Sequence, residues 1–270
     1  MAELPEIVKL AQQMNETLQG KTLYKTKILQ EKCTNIPISE FEERTTQARI
    51  VKVYHKGKWI FTRLDNGETI LLSLGMGADI LYFEDQTQLP EKYQIKVLFT
   101  DKTGYTARFW WFGKFLLCTD EELLTEKSTK DIGLDPFDER FSLEYFEALL
   151  KGKRTQVKAF LMNQKNVGGI GNMYMHDILF KAGIHPKKKI SELTSQQIKG
   201  LYNSIYAILD DSRQQGSFSY EKDFFGNKGE FDTFLVGYKE NEPCPECGTE
   251  IISLKTGSTS SFICPKCQVL

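Results

Sequence analysis

The sequence predicts an α+β multidomain chain: an antiparallel β-sandwich or barrel carrying a helix on one end, a helical domain after an acidic connection, and a small cysteine-built finger. Three observations predict it. The hydrophobic period is helical over residues 5–18, changes to short β-branched and aromatic runs over 22–119, and is helical again from residue 141. Charge reverses in mid-chain: residues 119–150 carry ten acidic and three basic side chains, and residues 151–189 carry nine basic against one acidic, Asp177. Near the end, Cys244-Pro245-Glu246-Cys247 and Cys264-Pro265-Lys266-Cys267 form two Cys-x-x-Cys knuckles around a hairpin-length insert.

At 270 residues the chain exceeds one typical domain and has apolar content for more than one core. No run reaches the apolar length of a membrane span, and the first residues are acidic where a signal peptide is basic, so a cytoplasmic protein without a membrane partner is expected. A net charge of −1 argues against a generic nucleic-acid binder. The local basic segment fits a phosphate-binding face set in a neutral protein, or an ordinary solvated surface.

In order, residues 5–18 form the first helix. Pro5 suits its first turn, Ile7, Val8, Leu10, Ala11, Met14 and Leu18 recur at helical spacing, and Gly20 ends it. Strands are expected at 50–54, 59–64, 69–74, 80–83, 95–100, 105–112 and 115–118, with Asp65-Asn66-Gly67 and Lys102-Thr103-Gly104 as tight turns. The acidic stretch 120–139, with Gly133 and Pro136, reads as a linker. Helices are expected over 141–151, 154–163, 172–182 and 191–212, and residues 215–234 read as a polar, glycine-containing loop.

Several stretches carry chemistry. The knuckles supply four thiolates at the spacing of a tetrahedral site, so Cys244, Cys247, Cys264 and Cys267 are expected to hold a structural Zn2+. Disulfides are the alternative, disfavoured in a reducing compartment, where Cys33 and Cys118 would also remain free thiols. Val167-Gly168-Gly169-Ile170-Gly171-Asn172 places glycines before a helix, which lets backbone N–H groups approach a phosphate; no strand precedes it and no lysine-serine pair follows, unlike a P-loop. His176 and His185 lack a cysteine or carboxylate pattern and are expected to be structural. At the start, small Ala2 favours removal of Met1, leaving an α-amine beside Glu3 and Glu6. With a pKa of about 7.7–8.0, that amine is partly unprotonated at neutral pH and usable as a nucleophile.

The start Met1-Ala2-Glu3-Leu4-Pro5-Glu6, the loop Ser73-Leu74-Gly75-Met76-Gly77, the glycine run with Phe160-Leu161-Met162-Asn163 before it, and the terminal knuckles together resemble the formamidopyrimidine-DNA glycosylase and endonuclease VIII family. The resemblance spans both ends and the middle of the chain. It implies a helix-capped antiparallel β-sandwich (1–119), a linker (120–139), a helix-two-turn-helix DNA-binding domain (140–240) and a zinc finger (241–270). The implied function is base excision repair: a monomer binds damaged double-stranded DNA, flips the damaged base and cleaves its N-glycosidic bond. Ala2 would attack the sugar C1′, Glu3 would handle protons with Glu6 nearby, and Lys58 of Lys56-Gly57-Lys58-Trp59 would contact phosphate and assist proton transfer. Met76 would fill the gap left by the flipped nucleotide. Lys158 and Asn172 would grip the flanking phosphates, with Arg108, Lys153, Gly171 and Lys255 completing the expected DNA contacts.

The sequence also departs from the family pattern. The N-terminal proline is Ala2, whose imine must be protonated to act as an electron sink, so base removal is expected to survive better than lyase activity. The glutamate two places beyond Glu6 is Val8, and residues 91–95 lack the family's histidine. The Asp-Pro-Arg-Arg-Phe-Gly loop is Arg108-Phe109-Trp110-Trp111-Phe112-Gly113, where Arg108, Trp110 or Trp111 could substitute by stacking. The finger arginine is Thr259, partly replaced by Lys255 as a point charge, and the family's glutamate in the helix after the glycine run is Asp177. A second class of function therefore stays open: a relative that binds lesions or abasic sites without catalysis.

Overall fold

A computed structural model describes residues 2–270; Met1, and with it the expected removal of that residue, lies outside the described residues. The chain forms two compact units, one running through Asp131 and including Gln215–Phe231, the other comprising Ile132–Gln214 and Asp232–Leu270.

The first unit begins with α1 (Leu4–Leu18), whose Leu4, Ile7, Leu10, Ala11, Met14 and Leu18 form one buried stripe. Then come β1 (Leu23–Ile28), α2 (Ile38–Thr45), β2 (Ile50–Lys56), β3 (Trp59–Leu64), β4 (Glu68–Ser73), β5 (Asp79–Phe83), β6 (Ile95–Phe99), β7 (Gly104–Arg108) and β8 (Lys114–Thr119). They pair antiparallel in two separate four-stranded sheets, ordered β1-β6-β7-β5 and β2-β3-β4-β8, a sandwich and not a barrel. Period-two alternation divides β3: Ile60 and Leu64 enter the main core with α1, while Phe61 joins Leu71, Leu116 and Cys118 in a second cluster.

Five stretches of this unit differ from expectation. β1 carries a bulge between Leu23 and Lys25 that breaks its alternation, and α2 buries only Phe41 and Thr45, too little for a stripe. The strand expected over 105–112 stops at Arg108, because the Phe109 N–H is taken by Gln94 Oε1 at 3.0 Å and the next residues bond to the Met76 loop. The linker stretch opens with α3 (Asp120–Thr125), capped by the Thr119 hydroxyl and carrying three acids in its first turn. The polar segment after residue 214 is tied into the sandwich: Phe224 is buried against Tyr82 and Tyr105, and Asp223 accepts from Gln13 at 3.0 Å and pairs with Lys9 at 3.3 Å.

The second unit contains α4 (Leu143–Leu150), α5 (Val157–Leu161), α6 (Asn172–Lys181), α7 (Ser195–Gln214) and a hairpin of β9 (Ile252–Thr256) with β10 (Thr259–Ile263). α5 starts later than expected because Gln156 bridges Lys189 and Val157 N donates to Lys188 O. α7 likewise starts late, after a 3-10 turn at Ile190–Glu192. From Met173 to Phe180 every residue of α6 is buried, and Tyr174 meets the Ser212 hydroxyl of α7 at 2.6 Å. Among the described residues no helix is long and apolar enough to cross a membrane.

Candidate active site and nucleic-acid interface

Ala2 and Glu3 are buried, 5% and 3% exposed, at the head of α1. Glu6, one turn on, accepts the Glu3 N–H on Oε2 at 2.8 Å and the Phe218 N–H on Oε1 at 3.2 Å. Both its oxygens are therefore committed to backbone, and Glu6 fixes the start of the helix to the returning segment. Lys58 approaches by topology. Gly20 N donates to Ile50 O and Val53 N to Asn15 Oδ1, so α1 and β2 run antiparallel. From Asn15 back to Ala2 is ~20 Å of helix, and β2 runs ~10 Å from Val53 to Lys56 before the Gly57-Lys58 turn, so that turn points along α1 in the direction of its head. In that turn Lys56 is bent aside to the carbonyls of Thr129 (3.0 Å) and Lys130 (3.3 Å). The side chain of Lys58 makes no hydrogen bond or ion pair among the described residues and is half-buried.

Met76 and the loop after β7 form one structure. Met76 N donates to Trp111 O and Trp110 N to Met76 O, each at 2.9 Å. Gly75 and Gly77 have φ of +57° and +60°, and a Cβ on Gly75 would lie 2.1 Å from Trp111 O. Only glycine permits this approach. Met76, Trp110, Trp111 and Phe112 all project into solvent, and Arg108 sits 5.7 Å from the Trp110 ring. Contiguous exposed aromatics of this kind mark an interaction surface.

In the second unit Lys158 is only 3% exposed, and its ammonium is enclosed by the finger hairpin. Nζ lies within hydrogen-bonding distance of four oxygens, Thr256 Oγ1 (2.9 Å), Thr259 Oγ1 (3.0 Å), Ser260 O (2.8 Å) and Ser261 Oγ (2.7 Å), which its three N–H groups share. No carboxylate is among these partners, and burial lowers its pKa to about 8. Lys255 and Lys153 are exposed, with no hydrogen bond or ion pair to their side chains among the described residues. The cation at the hairpin tip is thus Lys158, reaching across 101 residues to Thr259. The sequence shows the hydroxyl run but not its partner.

Gly171 is the N-cap of α6 and Asn172 its first residue. His176, one turn along, is held neutral by burial and by the nearby Lys158, its pKa lowered to about 3. Its Nδ1 accepts from Phe262 N at 3.3 Å, so the hydrogen sits on Nε2, which faces the Asn172 amide at 3.3 Å. The amide orientation satisfying both has Asn172 Oδ1 accept from Nε2–H. The reverse sets two donors face to face and leaves Oδ1 buried without a partner. His176 thereby fixes the orientation of the Asn172 side chain. Asp177 is structural: its carboxylate accepts from the backbone of Leu235 (2.6 Å), Val236 (3.0 Å) and Gly237 (2.9 Å).

The sulfurs of Cys244, Cys247, Cys264 and Cys267 lie within 4.8 Å of one another, and three of their six separations are 3.5–3.9 Å. A tetrahedron with Zn–S bonds of about 2.3 Å has edges of about 3.8 Å, so four thiolates here fit a structural zinc ion. Cys33 and Cys118 are buried free thiols, both pushed up to about 11 mainly by burial, and are unreactive as thiolates at neutral pH.

A buried N-terminal centre, an aromatic loop, a basic helical unit and a four-cysteine finger define the architecture of a DNA-lesion enzyme family, and comparison with known proteins agrees along the chain. Family models match for the formamidopyrimidine-DNA glycosylase N-terminal domain (residues 1–112), its H2TH domain (132–222) and the zinc finger found in FPG and IleRS (241–269). The formamidopyrimidine-DNA glycosylase of Pelotomaculum thermopropionicum is 30% identical over 99% of both chains. That of Methylobacillus flagellatus is 33% identical over 99% of this chain and 96% of its own. The Lactococcus lactis Fpg complexed with abasic-site DNA shares the fold at a TM-score of 0.89, with 24% identity and full coverage of both chains. The chain belongs to the formamidopyrimidine-DNA glycosylase family.

Proposed function

We propose that this chain is a DNA glycosylase of base excision repair, which binds damaged duplex DNA, flips the damaged nucleotide and cleaves its N-glycosidic bond with the α-amine of Ala2 as nucleophile. The observation that carries this reading is the burial of Ala2 and Glu3 at the head of α1, with Glu6 holding the backbone between them. The unprotonated amine attacks C1′, the damaged base departs with the electrons of the C1′–N bond and takes up a proton, and Glu3 moves protons at the sugar. The product is an imine between Ala2 and the opened sugar. An imine from a primary amine is charged only while protonated, so strand cleavage by elimination is slower than base release.

The DNA contacts divide by chemistry. Met76 and the Trp110–Phe112 tip contact bases without needing hydrogen bonds. Lys58, Asn172 and the Lys158–hydroxyl cluster take phosphates, with Arg108, Lys153, Gly171 and Lys255 at the margins of the contact. The protein acts as a monomer in the cytoplasm.

A panel of duplexes carrying oxidised purines or pyrimidines tests this. Free base should be released from at least one lesion, and Glu3→Gln should abolish release without loss of binding. The replacement of proline by Ala2 favours a second reading, a damage-binding protein without catalysis. Selective binding of lesion duplexes with no base released from any member of the panel would establish it.

A further inference from the structure

A cavity of about 610 Å³ lies in the second unit between α4, the connection from α4 to α5 and the turn before α7. Of the expected DNA contacts only Lys153 lines it, and none of the Ala2–Glu3 centre does. We propose that this cavity docks a partner protein through an acidic peptide segment, whose apolar side chains enter against Leu150, Ile190 and Ile198 while its carboxylates meet Lys151, Arg154 and the lysines of 187–189. The proposal does not rest on the chemistry assigned to Ala2.

The floor of the cavity is apolar. Leu150 ends α4 and Ile190 opens the 3-10 turn at Ile190–Glu192; both are buried, and Ile198 in the first turn of α7 is half-buried. On the α4 side stands Ala148, exposed and with only a methyl group to cover them. A larger side chain at that helix position would close the notch, which alanine leaves open. The volume falls in the roughly 300–1,000 Å³ range of ligand sites. An apolar centre inside a charged rim is the anatomy of a protein interface, where an anchor side chain fills the pocket.

The rim carries the charge that selects the segment. Gly152, at a φ of +74° and with no atom within 4 Å of a Cβ placed there, turns the chain out of α4. The basic run that follows is laid beside a second one by antiparallel pairing: Gln156 bridges Lys189, Val157 N donates to Lys188 O at 2.9 Å and Ile190 N to Thr155 O at 3.0 Å. Lys151, Lys153, Arg154, Lys187, Lys188 and Lys189 thus lie beside the cavity, and none has a carboxylate partner among the described residues. The acids of the rim are both on α4. Glu144 is held at the start of that helix by its own backbone N–H and the Ser142 hydroxyl, which lower its pKa, and Glu147 stands one turn on. Rims of unlike charge give a docked segment its direction, with carboxylates toward the α4–α5 connection and neutral or basic groups toward α4. Duplex DNA is the competing occupant of a basic surface. A peptide fits better, because a phosphate backbone gains nothing from an apolar notch and is repelled by the two glutamates on its edge.

The test is anisotropy of fluorescein-labelled synthetic peptides on the full chain. One series combines aspartates with leucine and phenylalanine in varied order; a second replaces the apolar residues by serine, and a third replaces the aspartates by lysine. The first series should contain saturable binders, with the serine and lysine counterparts of each at least about tenfold weaker. Ala148→Trp, which fills the notch from an exposed helix position, and the exposed pair Lys151→Glu/Arg154→Glu should each weaken those binders by about tenfold or more, with thermal melting unchanged. The charge pair lies wholly on the surface, so it decides the matter where Ala148→Trp fails to fold. Absence of binders from the first series overturns the proposal, as does equal binding of the serine series or unweakened binding by either folded variant. Loss of duplex affinity in Lys151→Glu/Arg154→Glu with no peptide bound by the wild type also overturns it and makes the surface a DNA contact. Self-association in sedimentation that Ala148→Trp abolishes overturns it as well, and makes the notch an interface between copies of this chain.

Discussion

The ammonium of Lys158 lies 2.7 Å from the hydroxyl of Ser261, so the positive charge of a helix is lodged inside the finger hairpin with neutral oxygens as its partners. A buried cation surrounded by hydroxyls is stable only at a cost in desolvation, and it is offset most directly by an arriving phosphate. Its pKa of about 8 stands below the unfolded value of about 10.4. Folding therefore favours the neutral amine, and free-protein stability from this group rises as pH climbs from about 8 toward the unfolded pKa. DNA binding has the opposite sign, because the phosphate needs the charged form. Affinity for a lesion duplex should weaken as pH passes upward through about 8. Lys158→Met should remove that dependence and lower the slope of log Kd against log salt by about 1.

His176 should act on DNA binding through Asn172. Removing the imidazole in His176→Ala frees the Asn172 amide to rotate and leaves the Phe262 N–H without its acceptor. The expected loss of lesion-duplex affinity is about 5- to 10-fold, close to one hydrogen bond of about 1 kcal/mol. Asn172→Ala should lose as much, and the double variant no more than the larger single loss. Titration calorimetry on the three variants checks this, and additive losses would count against positioning.

Asp177 should matter for stability more than for binding. Three backbone N–H groups converge on its carboxylate from Leu235 to Gly237, and Asp177→Ala leaves them buried without an acceptor. Hydrogen bonds to a charged group contribute about 1.5–3 kcal/mol each, so a loss of at least ~2 kcal/mol is expected by urea denaturation. Glutamate, longer by one methylene, should rescue only part of it.

Zinc removal should uncouple the finger from Lys158. Chelation, or Cys247→Ser, deprives β9 and β10 of the site that orders a unit whose own core is small. Hydrogen exchange should show loss of protection in residues 244–268 with the sandwich unaffected, and lesion-duplex affinity should fall at least tenfold.

The sequence showed the sheets, the α1 stripe and the metal ligands because each is written in local spacing. β1 was hidden by its bulge and α2 by its thin buried face. The candidate site was legible where it depends on one stretch, as at Ala2, Glu3 and Glu6 or at Gly75-Met76-Gly77. The sequence leads one to expect phosphate at Lys158, but its enclosure by Thr256, Thr259 and Ser261 depends on pairing across about a hundred residues, which no local pattern encodes. The same holds for Glu6 with Phe218 and for Gln94 with the Phe109 N–H.

Restoring the secondary amine should separate the two steps of the chemistry. Ala2→Pro gives an iminium that is charged without protonation, so strand cleavage at an abasic site should rise at least tenfold, about 1.4 kcal/mol of barrier, while base release changes less. In the wild type, single-turnover base release from pre-bound duplex should increase with pH as the Ala2 amine loses its proton, while affinity falls as Lys158 loses its charge, so the two are measured separately.

The most direct test of the account is borohydride trapping on an abasic-site duplex, with intact mass measured first to establish loss of Met1. A covalent protein–DNA adduct is expected, placed by peptide mapping on the α-amine of Ala2 and diminished by Glu3→Gln. Tight, lesion-selective binding with no adduct, from protein shown to begin at Ala2, would contradict the amine as nucleophile.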